Sequence, residues 1–154
     1  MKQTHSTQQH GSALLEALIA VLIFSMGILA LMGLLAASIK SSGDAKYRAD
    51  AAYLANQIIG QMWVDRANIP LSYAYQPGGT SACTPTGAAS ANTNVTAWLT
   101  QVGSLLPGAI AANQQIFVGP ITSSSAYPVR VTVCWQAPQD ITSHNFVATA
   151  QINQ

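Results

Sequence analysis

From Ala17 to Ala37 the chain carries no charged residue, and this run limits what the rest can be. At 1.5 Å of rise per residue, twenty-one helical residues cross a hydrocarbon layer of about 30 Å. Leu, Ile, Val, Ala, Met and Phe occur at every helical phase, interrupted only by Ser25, Gly27 and Gly33. A soluble surface helix keeps a polar stripe, and none exists here, so the run reads as membrane-spanning.

No proline falls between Met1 and Ile69, so nothing stops the helix where the apolar run ends. Beyond Lys40 the pattern becomes one-sided: Tyr47, Ala51, Leu54, Ile58 and Met62 recur at spacings of four and three. Lys46, Arg48, Asp50, Gln57 and Gln61 fall elsewhere on the wheel. The pattern predicts one helix from about Ser12 to Arg66, its second half laid against a globular head, with Pro70 as the stop. Residues 76 to 94 are rich in Gly, Pro, Ser, Thr and Ala and read as a loop. Asn94 is then placed as the cap of a short helix with Val95, Trp98, Leu99, Val102, Leu105 and Leu106 on one face, ended by Pro107-Gly108.

Three strand-like runs close the chain. Gln115 to Val118 is brief. Tyr127 to Trp135 alternates Val129, Val131, Val133 and Trp135 against Arg130, Thr132 and Cys134. Phe146 to Ile152 alternates Phe146, Ala148, Ala150 and Ile152 against Val147, Thr149 and Gln151. The expected class is α+β, a long N-terminal helix packed on a small antiparallel sheet.

Charge excludes some functions. Of 154 residues only 7% are charged, and after residue 67 only Arg130 and Asp140 remain. No Lys/Arg cluster is present to neutralise phosphates, so nucleic acid is not an expected partner. Cys83 and Cys134 form no CxxC pair and have only His144 as a later histidine, so neither a metal nor another cofactor is expected. The thiols are read as a disulfide if the head is exported, with two buried free thiols as the alternative.

Glu16 is the most informative residue. A carboxylate within a membrane span costs about 2.5 to 3.5 kcal/mol at its centre and less near its end, and so marks a function with a partner to be found. No Lys or Arg lies between Lys2 and Lys40. Cleavage between Gly11 and Ser12 would create a new α-amine four residues before Glu16, or offer one to a neighbouring subunit.

Gly11-Ser12-Ala13-Leu14-Leu15-Glu16, continuing into Ala-Leu-Ile-Ala-Val-Leu-Ile, resembles the class III signal of type IV pilins and pseudopilins. The resemblance covers residues 11 to about 40. It implies that a prepilin peptidase cleaves between Gly11 and Ser12 and methylates the amine of Ser12, and that Glu16 serves subunit assembly. Ser12 departs from the usual Phe at that position. Ala52 to Met62, Trp98-Leu99 ahead of Leu105-Leu106-Pro107-Gly108, and Val131-Thr132-Val133-Cys134-Trp135 resemble the minor pilins of the PilV kind, the type IV pilus modification proteins. The implied domains are a leader (1–11), a transmembrane and assembly segment (12–39) and a periplasmic head with the pilin fold (40–154). The implied partners are other minor pilins, the major pilin, the prepilin peptidase, the inner-membrane assembly platform and, before assembly, lipid. The implied role is to prime pilus assembly near the tip, first from the inner membrane and then in the extracellular pilus.

Other readings fit less of the chain. An ordinary secretory signal ending near Ser38 would have too long an apolar region and would hardly carry Glu16. A generic single-span protein leaves Glu16 unexplained. Gly27 and Gly33 are six apart and do not make a GxxxG face. Lys40, Lys46 and Arg48 follow the span while Lys2 precedes it, which by the positive-inside rule favours the opposite orientation; the resemblance places the leader in the cytoplasm. A minor pseudopilin of a type II secretion system would share signal and helix, and an adhesin-like or DNA-uptake pilin would bind through its head. Asp140 and His144 invite a hydrolase reading, but Asp140-Ile-Thr-Ser-His144 looks like a turn between strands without a nucleophile elbow, and no enzyme is expected. Asn94-Val95-Thr96 matches a glycosylation sequon, to which no role is assigned.

Overall fold

The computed structural model describes residues 12–66, 72–121 and 125–153. Helix α1 spans Ser12–Val64 and helix α2 Thr93–Leu105; after a short 3-10 turn at Ala111–Asn113 come strands β1 (Gln115–Val118), β2 (Ala126–Trp135) and β3 (His144–Asn153). The class is α+β: a long N-terminal helix and a three-stranded antiparallel sheet in the order β1-β2-β3. The chain divides into two compact units between Gly43 and Asp44. Lys2, Gly11 and the stop expected at Pro70 lie outside the described residues.

In the first unit every residue of α1 from Ser12 to Ser42 is exposed, including Leu18, Phe24, Leu29 and Leu34. α1 is the one described helix long and apolar enough to cross a membrane. Its Ser25 hydroxyl donates to the carbonyl of Val21 at 2.7 Å, so this polar group is satisfied within the helix, as a lipid surrounding requires.

The second unit is built on the stripe expected for α1. Ala51, Leu54, Ile58 and Met62 are fully buried, joined by Ala55 and Ile59, and Tyr47 packs at the margin. They share one core with Tyr73, Tyr75, Val95, Trp98, Val102, Leu106 and the inner face of the sheet. On that face the β2–β3 register sets Val133 against Phe146, Val131 against Ala148 and Val129 against Ala150, so a row of valines on β2 meets one aromatic ring and two alanines on β3. The Trp98 indole Nε1 donates to the Leu54 carbonyl at 2.9 Å, tying α2 to α1 inside this core. Pro128 sits in the central strand one residue beyond the last β1 pair, Val118 with Val129. Its missing donor therefore falls outside the β1 ladder, while its carbonyl still accepts from Gly119 N at 2.8 Å.

Four local expectations are corrected. The cap of α2 is Asn92 rather than Asn94: Asn92 is extended (φ −67°, ψ 128°) and its Oδ1 accepts from Asn94 N. Asn94 lies inside the helix, where its Nδ2 donates to the Tyr73 hydroxyl at 2.7 Å. Leu105 is 42% exposed, so the buried face of α2 ends one turn earlier at Val102, with Leu106 buried beyond the helix. Thr132 and Cys134, expected on the solvent side of β2, are buried because Gln114, Gln115 and the loop around Cys83 cover them. β3 also begins at His144, which the sequence placed in the turn.

Candidate assembly site

Glu16 stands on the first turns of α1, four residues after Ser12, amid exposed Leu14, Leu15, Leu18 and Ile19. No described residue pairs with its carboxylate. Because Ser12 and Glu16 are one turn apart, an amine at Ser12 lies within reach of Glu16 along the helix or between neighbouring helices. Gly11, the other half of the expected cleavage pair, lies outside the described residues. Along the run, a Cβ at Gly27 or Gly33 would meet no atom within 4 Å.

Cys83 and Cys134 are joined in a disulfide that ties the 76–92 loop to the C-terminal end of β2. The loop has its own short ladder: Gln76 N donates to Ala88 O (2.9 Å), Gly78 N to Thr86 O (2.7 Å) and Thr86 N to Gly78 O (3.0 Å). The strands of this ladder approach so closely that a Cβ on Gly78 would lie 2.8 Å from the Thr86 hydroxyl, which explains the glycine. Sequence reasoning missed Gln114, whose buried amide brackets the bridge: Nε2 donates to Cys134 O (2.9 Å) and Ile110 O (3.0 Å), and Oε1 accepts from Cys134 N (2.8 Å). The amide extends the sheet where β1 has not yet begun.

No protein-family model, curated protein or solved structure matches the chain.

At the β2–β3 connection, His144 Nε2 lies 2.8 Å from Asp140 Oδ2, and the imidazole stacks on Trp135 with ring centroids 5.8 Å apart. Gln136 Nε2 also donates to Asp140 O at 2.9 Å, so the arrangement closes the connecting loop. At the other end of the head, Tyr73 OH lies 3.3 Å from Asp65 Oδ2 and accepts from Asn94. Burial, reinforced by the Asp65 carboxylate, pushes the Tyr73 phenol above its ordinary value. Nearby, Gln57, Gly60, Gln61, Val64, Asp65 and Asn94 line a cavity of about 390 Å³.

Proposed function

We propose that this chain is a minor type IV pilin of the PilV kind, a subunit that is cut between Gly11 and Ser12 and joins other minor pilins to start a pilus. The observation that carries the reading is a lone carboxylate, Glu16, at the start of a helix whose next six turns are apolar and exposed. Such a surface is stable in lipid or against other apolar helices, and moving from one to the other gains little hydrophobic free energy. Selection of the neighbour therefore falls to the polar contact, and Glu16 is the only acidic residue placed to make one in that segment. A fresh amine at Ser12, on this or an adjacent subunit, is the complementary cation.

The disulfide-bonded, weakly charged head fits an oxidising compartment, which supports the orientation with residue 11 on the cytoplasmic side. The reading assigns no catalysis to the Asp140–His144 pair, whose contacts fasten a loop.

Mass spectrometry of the N-terminus of protein taken from membranes tests the reading directly. A terminal peptide beginning at N-methylated Ser12 is expected. A peptide beginning at Met1 in cells with active prepilin peptidase, or one beginning near Ser38, would overturn it. In the same cells Glu16→Ala is expected to leave cleavage intact and to reduce recovery of the subunit in sheared pili.

A further inference from the structure

The two ends of the disulfide lie in different surroundings. Cys134 is 1% exposed, on the central strand, with Asn145 of β3 opposite it and the Gln114 amide bonded to both of its peptide groups. Cys83 is partly exposed, at the tip of the small hairpin that the Gly78–Thr86 pair closes, and its neighbours Ser81, Ala82 and Thr84 are exposed. Its backbone is left-handed, at φ +66°, a conformation that a non-glycine residue keeps only while its surroundings impose it. When the bridge opens, Cys83 is the end released, and Cys134 stays in the sheet.

We propose that Cys83 is a thiol-exchange site: an external thiolate attacks Cys83 Sγ, and Cys134 is the sulfur displaced. A bond forms between the incoming sulfur and Cys83, and the Cys83–Cys134 bond breaks. Its electron pair leaves on Cys134, which takes a proton from water. In reverse, the Cys134 thiolate attacks the Cys83 sulfur of the mixed disulfide, expels the external thiolate and restores the bridge. Neither step needs a further oxidant or reductant.

Access decides which sulfur is attacked. The incoming sulfur must approach along the S–S axis, from behind the atom it attacks. For Cys83 that approach begins at a partly exposed loop tip, and for Cys134 at a residue buried in the sheet. The leaving groups favour the opposite choice, because burial disfavours the charge of a thiolate expelled from Cys134. That effect slows exchange at Cys83 without stopping it, whereas a sulfur that no thiolate reaches does not exchange until the head opens. The outcome is slow exchange confined to Cys83, with Cys134 held by Gln114 in position to close the bridge again.

The test uses the full chain in detergent micelles, with glutathione as the probe. Wild-type protein is treated briefly with reduced glutathione, quenched in acidic maleimide and mapped by mass spectrometry. Molecules with one glutathione should carry it on Cys83 and the maleimide on Cys134, in excess over the converse by a factor of about ten or more. Equal amounts, or an excess of the converse, overturn the proposal, as does a bridge that glutathione opens only at the rate of global unfolding. A second measurement takes the thiols singly. With oxidised glutathione, the free Cys83 of Cys134→Ala should form its mixed disulfide about tenfold or more faster than the free Cys134 of Cys83→Ala. In urea that unfolds the head the two rates should agree within about threefold. Comparable rates in variants that keep the native near-ultraviolet dichroism overturn the proposal as well, and where a variant loses that spectrum the wild-type map decides.

Discussion

Reducing the Cys83–Cys134 bridge should lower the stability of the head by an amount that can be worked out beforehand. The cysteines are 51 residues apart, and closing a loop of that length removes unfolded-chain entropy equivalent to about 4 kcal/mol at 25 °C. That figure is an upper bound, since the unfolded head keeps some structure, so a loss of about 2 to 4 kcal/mol is expected. The head unit runs from Asp44 to Gln154, and at about 2.1 cal/mol/K per residue its unfolding entropy gives a fall in Tm of roughly 9 to 17 °C. The fold should survive at 25 °C. The loop keeps its ladder between Gln76 and Ala88, and Cys134 keeps both backbone bonds to Gln114.

Trp63, Trp98 and Trp135 all lie in the head, so tryptophan fluorescence of the full chain in micelles follows that unit without interference from the apolar segment. Reducing the wild-type protein leaves both side chains in place and adds no cavity. Cys83→Ser with Cys134→Ala gives the permanent form, with a small further loss because Cys134 is buried. A Tm fall below about 3 °C, or loss of native near-ultraviolet dichroism at 25 °C on reduction, would refute the reasoning. The second result would mean that the bridge holds the native loop together rather than restraining the unfolded chain.

Gln114→Leu removes both partners of the Cys134 peptide groups, leaving buried polar groups unpaired, and should cost about 2 to 4 kcal/mol in urea unfolding; a loss under 0.5 kcal/mol, on the same scale, counts against the bracket. For Tyr73 the folded phenol holds its proton more tightly than the unfolded one, so its stabilisation is complete below pH 10.0 and is lost as pH rises through the raised value. Wild-type stability should therefore fall more steeply than that of Tyr73→Phe above pH 10, and parallel curves would refute the assignment. His144→Ala removes a partly exposed pair and should cost only about 1 kcal/mol or less, while altering the near-ultraviolet dichroism of the stacked Trp135. A spectrum like that of wild type would mean that the stack does not persist in solution.

Periodicity made the main elements of this chain legible. The stripe from Ala51 to Met62 and the alternation along β3 each follow from one buried face, and a face is a local pattern. What escaped depends on residues distant in sequence. Asn92 and Asn94 are equally good caps by composition. The choice between them is made by Ser72, which accepts from Asn92 Nδ2 at 2.9 Å, and by Tyr73, which takes up the amide of Asn94. The burial of Thr132 and Cys134 is set by a loop fastened 51 residues away. Gln114 belongs to no apolar pattern, and only its placement opposite the Cys134 peptide groups gives it a role. At the apolar segment, sequence alone brought out Glu16 and the unbroken run, because a charge beside a membrane-length segment stands out without any tertiary context.

Polar satisfaction recurs within each unit of the chain. Ser25 bonds to its own helix, Trp98 to the Leu54 carbonyl, Gln114 to Cys134 and Gln115 to the loop, so side chains repeatedly supply what the backbone leaves open. Against that background the exceptions are informative. The buried Oε1 atoms of Gln57 and Gln61 find no partner among the described residues, and an open pocket of about 390 Å³ lies beside them. Glu16 has no such local remedy, since its exposed neighbours Leu14, Leu15, Leu18 and Ile19 are apolar. A carboxylate among apolar groups is relieved by a cation. Under the proposed function, Glu16→Ala should lower recovery of the subunit in sheared pili while leaving the urea unfolding of the head unchanged. A head destabilised by that variant would show that the carboxylate acts on the fold rather than on assembly.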